Sequence, residues 1–241
     1  MPDPAPRRGR LTRAAVVEAA VELADRQGLA AVSMRNVAGA LQVAPMALYR
    51  HVTDKDDLLD AMVDRLIEEF GAPPEDTSAS RASAPPAGMP AEPGWVSAAR
   101  TRIWAARAVL ARHPWARQAI ETRTRRTAAV LSHMEALTSV LLSGGVSADL
   151  THHALHALGN RIWGFSPELF PGDATAGSSP LDPADYPGIL AVAAQARRRR
   201  PDATGCDEDF EFGFALDLIL AAVARLHDAG WASHPTTGTQ G

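Results

Sequence analysis

Arginine side chains are concentrated at the start of this sequence, where their charge could bind phosphate. Residues 1 to 55 hold eight Arg or Lys against five Asp or Glu and carry a net charge of +3, whereas residues 56 to 241 carry −7. Affinity for nucleic acid depends on local charge, so the overall net charge of −4 does not exclude it. The sequence therefore predicts a basic head and an acidic body.

Four arginines near the N-terminus follow one another without an intervening acid: Arg7, Arg8, Arg10 and Arg13. Such an arm can lie along the narrow minor groove of DNA. The alternative is that these side chains are solvated charges on a frayed chain end.

Three histidines, His152, His153 and His156, form a second group of reactive side chains. Histidines four residues apart on a helix can share a metal ion, but the glutamate of an HExxH motif is absent. No phosphate-binding glycine loop, nucleophile elbow or cofactor motif is present either. The sequence predicts no metal, no cofactor and no enzyme, although buried His, Glu and Arg can in principle perform acid-base chemistry.

The bulk properties are typical of a soluble protein, with 46% hydrophobic residues in 241. Cys206 is the single cysteine, and the N-terminal residues lack the apolar run of a signal peptide. No stretch approaches the roughly 18 apolar residues of a membrane span. We expect a cytoplasmic protein with no membrane partner.

Apolar residues recur at helical spacing throughout, without the alternation of half-buried strands, so the fold class is all-α. Capping and first-turn residues mark the starts of four helices in the head. They are Thr12, Ser33, Pro45 and Asp54. The second and third helices are joined by about four residues, which is the helix-turn-helix geometry that fits the major groove.

The remainder divides into a linker and a helical body. Residues 71–94 are rich in Pro, Ala, Ser and Gly, which is typical of a flexible linker. Helical periodicity marks the body at residues 95–113, 116–144, 147–165, 189–198 and 210–228. Residues 231–241 are predicted to be a disordered tail. Coupling of head and body across such a linker requires the fourth helix to pack directly on the body, and we predict that packing.

The run VAPMALYRHVTDKDDLLDAM, residues 43–62, strongly resembles the signature of the TetR (tetracycline repressor) family around its recognition helix and fourth helix. The resemblance extends back to the first helix. It implies a helix-turn-helix DNA-binding head at residues 12–70, with residues 1–11 as a basic arm, and a ligand-binding and dimerisation region at residues 95–230.

The resemblance also implies roles for residues of the head. Tyr49 and Lys55 match positions that contact phosphates, and Arg35 matches one that can reach a guanine, whose acceptors suit a guanidinium. The positions facing the groove are Met46, Ala47, Arg50 and His51. Ala44 stands where many relatives have a capping Ser or Thr, so this helix start lacks its usual side-chain acceptor.

In the body, residues 209–226 resemble the last helix of the tetracycline-repressor subgroup, and residues 148–165 its other interface helix. The resemblance implies a two-fold four-helix bundle between identical subunits, with Gly213 permitting close helix approach. The expected interface residues are Leu155, Ile162, Gly213, Phe214, Leu218 and Ala222.

The resemblance places a small-molecule effector inside the body. The matching pocket positions are Arg102, Trp104, Thr124, Leu137, His152, His156 and Asn160, with Trp163 as a further wall. The histidine that anchors the metal of tetracycline has no counterpart, because Ile120 and Glu121 occupy that stretch, although Glu168 matches a nearby glutamate. We expect a ligand-responsive repressor that binds a palindromic operator as a homodimer; the alternative is an architectural DNA-binding protein without a ligand.

Overall fold

The computed structural model describes residues 10–70, 92–122, 127–163, 187–199 and 207–234. Throughout these ranges the chain forms helices and turns and no strand, which confirms the all-α prediction. The helices are α1 (Arg13–Gln27), α2 (Met34–Ala40), α3 (Pro45–Leu48), α4 (Lys55–Glu69), α5 (Gly94–Arg112), α6 (Ala116–Glu121), α7 (Ala128–Ser143), α8 (Ala148–Trp163), α9 (Pro187–Arg199) and α10 (Glu208–Asp228). None of them combines the length and hydropathy needed to cross a membrane.

Side-chain caps fix the starts of the head helices where the sequence predicts them. Thr12 Oγ1 accepts from the amide of Ala15 at 3.1 Å, and Asp54 Oδ1 accepts from the amide of Asp57 at 2.8 Å. At the start of α2, Ser33 Oγ likewise accepts from the amide of Asn36. Each cap satisfies an amide that the helix leaves unpaired. At α3 no side chain caps the start, as expected from Ala44, and Pro45 occupies the first turn.

Three details differ from the sequence-based expectation. The third helix, expected to reach His51, ends at Leu48 and continues as a turn. The helix expected over residues 116–144 is divided into α6 and α7. Residues 231–234, which were predicted to be part of a disordered tail, pack on the body, because Ser233 donates from its amide and its hydroxyl to the carboxylate of Asp149, at 2.6 and 2.8 Å.

Two hydrophobic clusters hold the helices together. The first, which we call the head core, contains the buried faces of α1, α2 and α4 and continues into the body through Val109, Trp115 and Ala119. The second, the body core, joins α5, α7, α8 and α10. Because α4 packs against α5, α6 and α7, the predicted packing of the fourth helix on the body is confirmed.

Polar contacts reinforce the junction of head and body. Asp25 of α1 accepts from Trp115 Nε1 at 2.6 Å and lies 2.8 Å from His113 Nδ1. Arg112 pairs with Glu69 near the end of α4 at 2.5 Å. The orientation of the head relative to the body is therefore set by both apolar packing and charged hydrogen bonds.

The turn of the helix-turn-helix requires a left-handed backbone at Gln42, where φ is 55°. An L-residue in this conformation costs about 1–2 kcal/mol, a cost that Gln42 already carries, and a β-branched side chain fits the conformation less well still. We therefore expect Gln42→Gly to raise the free energy of unfolding by up to about 1–2 kcal/mol, and Gln42→Val to lower it. Urea denaturation measures both. Gln27→Val, an exposed helical control, should cost less than about 0.7 kcal/mol; equal losses at the two sites would contradict the conformational explanation.

Candidate DNA-binding and effector-binding sites

The recognition surface is built by α2, α3 and the turn between them. Val37, Ala38 and Leu48 are buried in the head core and fix the angle between the two helices. The opposite side of α3 is exposed, with 74% of Met46 and 46% of Tyr49 accessible. Large exposed side chains on so short a helix are suited to contacts with a partner.

Basic side chains surround this surface. Arg35, Arg50 and Lys55 are exposed, and in the described part of the chain they take part in no hydrogen bond or ion pair. Ala47 and His51 are half-buried beside them. Unpaired cations around a helix that projects from the surface are the arrangement that phosphate and base edges require.

Arg13 is bound within the head and is not part of a free arm, contrary to the expectation from its charge. Its guanidinium donates to both carboxylate oxygens of Asp57, at 2.6 and 3.0 Å, and to the carbonyl of His51 at 2.7 Å. Asp57 also accepts from the Thr53 amide at 2.8 Å. We call these residues the Arg13–Asp57 clamp; it joins α1 to the end of the recognition segment and the start of α4.

The Arg13–Asp57 clamp should make the stability of the folded protein decrease at low pH. Hydrogen bonding from Arg13, with a further contribution from the Thr53 amide, lowers the pKa of Asp57 to about 2 from 3.8. Since the folded pKa is depressed, the stabilisation is present above about pH 4 and is lost as the pH falls toward 2. Arg13 is half-exposed, so we expect Asp57→Asn to cost about 1–2 kcal/mol at pH 7.

Urea denaturation between pH 2 and 7 measures this effect. The difference between wild type and Asp57→Asn should shrink with acidification. Glu22→Gln, which removes an exposed pair with Arg26, should cost about 0.5 kcal/mol or less. A difference that does not change with pH would count against the clamp.

The N-terminal arm is only partly described. Arg10 is exposed, and Arg8 lies outside the described residues.

The predicted effector residues occupy different environments. Trp104 lies edge-on to Phe212 with ring centroids 5.1 Å apart, and Leu137 is buried in the body core. His152 and His156 are exposed, because the buried side of α8 carries Leu150, Ala154 and Leu158 instead; they do not line the interior of the chain. Thr124 lies outside the described residues, as does Glu168, and the side chains of Asn160 and Trp163 are not described.

The structure identifies polar groups of the body that the sequence analysis missed. Arg102, which was predicted, has its Nε buried without a hydrogen-bond partner, and so have His133 at Nδ1 and Thr151 at Oγ1. One sequence signal could have identified His133: it lies on the face of α7 that otherwise carries the apolar residues Val130, Leu137 and Leu141. Among the described residues no group of three or more His, Cys, Asp or Glu side chains is arranged to bind a metal ion.

One side of α10 is left uncovered by the residues that the structure describes. Phe210, Phe214 and Leu218, one helical turn apart, are 65, 55 and 57% exposed, while Leu155 and Ala222 are half-buried. Gly213 differs from the expectation, since a Cβ there would lie 3.1 Å from Trp104 Cζ2 of the same chain. The close approach that this glycine permits is therefore intramolecular. The side chain of Ile162 is not described.

An open groove of about 540 Å³ lies between α1 and α4, lined by Arg13, Glu18, Ala61, Asp64 and Arg65 among others. It contains none of the predicted effector residues.

A projecting recognition helix with free cations, joined through a fourth helix to an all-helical body, defines a helix-turn-helix regulator. Residues 16–62 match the family model described as bacterial regulatory proteins, tetR family. The HTH-type transcriptional repressor DrrR1 of Streptomyces coeruleorubidus is 32% identical over 220 residues, covering 87% of this chain and 76% of that protein. The chain belongs to the tetR family, whose members are transcriptional regulators and not enzymes.

Solved structures share the fold along nearly the whole chain. Apo ActR from Streptomyces coelicolor superposes with a TM-score of 0.67 at 23% identity, covering 92% of this chain and 98% of that one. ActR in complex with actinorhodin has a TM-score of 0.67 at 20% identity, covering 92% and 100%. At these identities the likeness establishes the fold.

Proposed function

We propose that this protein is a ligand-responsive transcriptional repressor, which binds a palindromic operator as a homodimer and is released by a small-molecule effector. The observation that carries the proposal is the exposed surface of α3, where Met46 and Tyr49 project among three cations with no partner in the described chain. The curated relative from S. coeruleorubidus is a repressor, which supports the direction of control.

On DNA, Tyr49 and Lys55 bind phosphates and set the register of the head. Arg35 and Arg50 reach base edges, with Met46, Ala47 and His51 completing the surface in the major groove. Arg8 and Arg10 extend into the neighbouring minor groove. Binding to an operator places the protein in the bacterial cytoplasm, which contains the DNA.

The homodimer forms through α8 and α10. The apolar stripe of Phe210, Phe214 and Leu218 is costly to leave in water and suits a two-fold contact with its own copy. Half-buried Leu155 and Ala222 contribute to the contact, with Ile162 as a further proposed member, and pairing of two chains places two recognition helices about one DNA turn apart.

The effector binds in the body. The solved ActR complexes contain actinorhodin and (S)-DNPA, so a protein of this fold can bind a small organic molecule. In this chain Arg102, Trp104 and Leu137 are the described candidates, with Thr124, Asn160 and Trp163 as further ones. Because α4 packs on the body, a bound ligand can shift the population toward a spacing of the heads that no longer fits the operator.

The test is a screen of hydrophobic natural products and antibiotics by thermal shift, followed by competition with promoter DNA. A compound that raises Tm and releases the DNA is the expected result. DNA binding that persists unchanged with every compound that raises Tm would favour an architectural protein and contradict the effector response.

A further inference from the structure

Three buried polar atoms of the helical body lack hydrogen-bond partners within the described part of the chain: Arg102 Nε, His133 Nδ1 and Thr151 Oγ1. They belong to α5, α7 and α8, which pack against one another. A buried polar group without a partner lowers the stability of the folded protein, and a charged group lowers it more. Such groups are retained where a ligand supplies the missing contact.

Arg102 and His133 lie on the seam between the two hydrophobic clusters. On α5, Arg102 stands between Ala99 of the body core and Ala106 of the head core, three and four residues away. On α7, His133 stands at the same spacing between Val130, which packs on the head core, and Leu137 of the body core. Each of these two side chains therefore interrupts the apolar positions of its own helix at the place where one cluster gives way to the other.

Arg102 differs from the other arginines of α5 in its pairing. The three others are paired: Arg100 with Glu92 and Asp217, Arg107 with Asp209, and Arg112 with Glu69. Arg102, by contrast, has no carboxylate partner among the described residues. Burial, together with the charge of Arg102, lowers the pKa of His133 to about 4, so the imidazole is neutral at pH 7 and can donate or accept a hydrogen bond.

We propose that the effector is a largely apolar organic acid whose anionic oxygen is bound by Arg102 and His133 in this seam. This inference rests on the proposed effector response and specifies its chemistry. An anionic oxygen supplies the partner that Arg102 lacks, while the two flanking cores provide surfaces that favour an apolar remainder.

The same position gives the ligand direct access to the connecting helix. The His133 ring lies edge-on to Phe70, the residue that ends α4, with centroids 5.0 Å apart. One turn and a half before it along α7, the hydroxyl of Thr127 donates to Asp64 of α4. An acid that displaces His133 therefore moves the C-terminal end of α4, a helix whose N-terminal end adjoins the recognition helix.

The experiment compares matched acids and amides: benzoate with benzamide, 2-naphthoate with 2-naphthamide, and 2-anthroate with 2-anthramide. Calorimetry at pH 7 is run on the full-length protein and on two variants, Arg102→Met and the control Arg100→Met. We expect at least one acid to bind wild type with a Kd about tenfold or more below that of its amide. Arg102→Met should abolish the preference, and Arg100→Met should keep it.

A second readout separates binding from folding. Without ligand, Arg102→Met should raise Tm, because it removes a half-buried guanidinium whose Nε has no hydrogen-bond partner among the described residues, whereas Arg100→Met should lower it by breaking two ion pairs. Equal binding of acids and amides, an acid preference that survives in Arg102→Met, or binding of none of the acids would overturn the inference. Promoter DNA binding, measured on the same samples, tests the proposed function separately.

Discussion

The double variant Phe214→Asp/Leu218→Asp should be a monomer that binds operator DNA about 10²- to 10⁴-fold more weakly than wild type. Both side chains are more than half exposed on α10, so the charges are accommodated in a single chain but not in an apolar interface. In the monomer each head binds its half-site independently. The dimer binds more tightly because, once one head is bound, the second is held at a high effective concentration near its own half-site. Analytical ultracentrifugation and fluorescence anisotropy measure the two effects.

Leu142→Asp is the matched control, because Leu142 is 46% exposed on α7, away from the stripe. It should leave both the sedimentation coefficient and the operator affinity unchanged. A dimeric double variant with full affinity would show that α10 is not the contact between subunits.

Arg50→Ala and Lys55→Ala should weaken DNA binding in different ways. Loss of the phosphate contact of Lys55 should reduce affinity for all sequences alike and lower the slope of log K against log[salt] by about 1. Loss of a base contact at Arg50 should cost about 1–3 kcal/mol and relax the sequence preference. The control is Arg26→Ala, which removes an exposed arginine near the C-terminal end of α1.

Anisotropy titrations with operator and scrambled DNA between 50 and 200 mM salt distinguish these variants. Identical losses from Arg26→Ala would mean that only the overall charge of the head matters. Unchanged binding by both Arg50→Ala and Lys55→Ala would place the DNA elsewhere.

Local rules predicted the helix starts well. The caps at Thr12, Ser33 and Asp54 act over three residues, and so the sequence contains all the information that they need. The lack of a cap at Ala44 was equally visible. The packing of α4 on the body was predicted because the head and the body can be coupled across residues 71–94 only if the fourth helix contacts the body directly.

Contacts between distant segments were harder to predict. Arg13 was grouped with the basic arm, because nothing local shows that Asp57, 44 residues away, binds it. His152 and His156 were placed in the pocket by resemblance, but the rotation of α8 puts Ala154 and Leu158 inside instead. His133 was missed since a single polar residue in a helix does not reveal which core it interrupts.

The most direct test of the DNA-binding dimer is a titration of the purified protein into a palindrome from its own promoter at several salt concentrations. The proposed function predicts two chains per palindrome and an affinity that falls steeply as salt rises, with scrambled DNA bound far more weakly. One chain per palindrome, or equal affinity for scrambled DNA at every salt concentration, would contradict it.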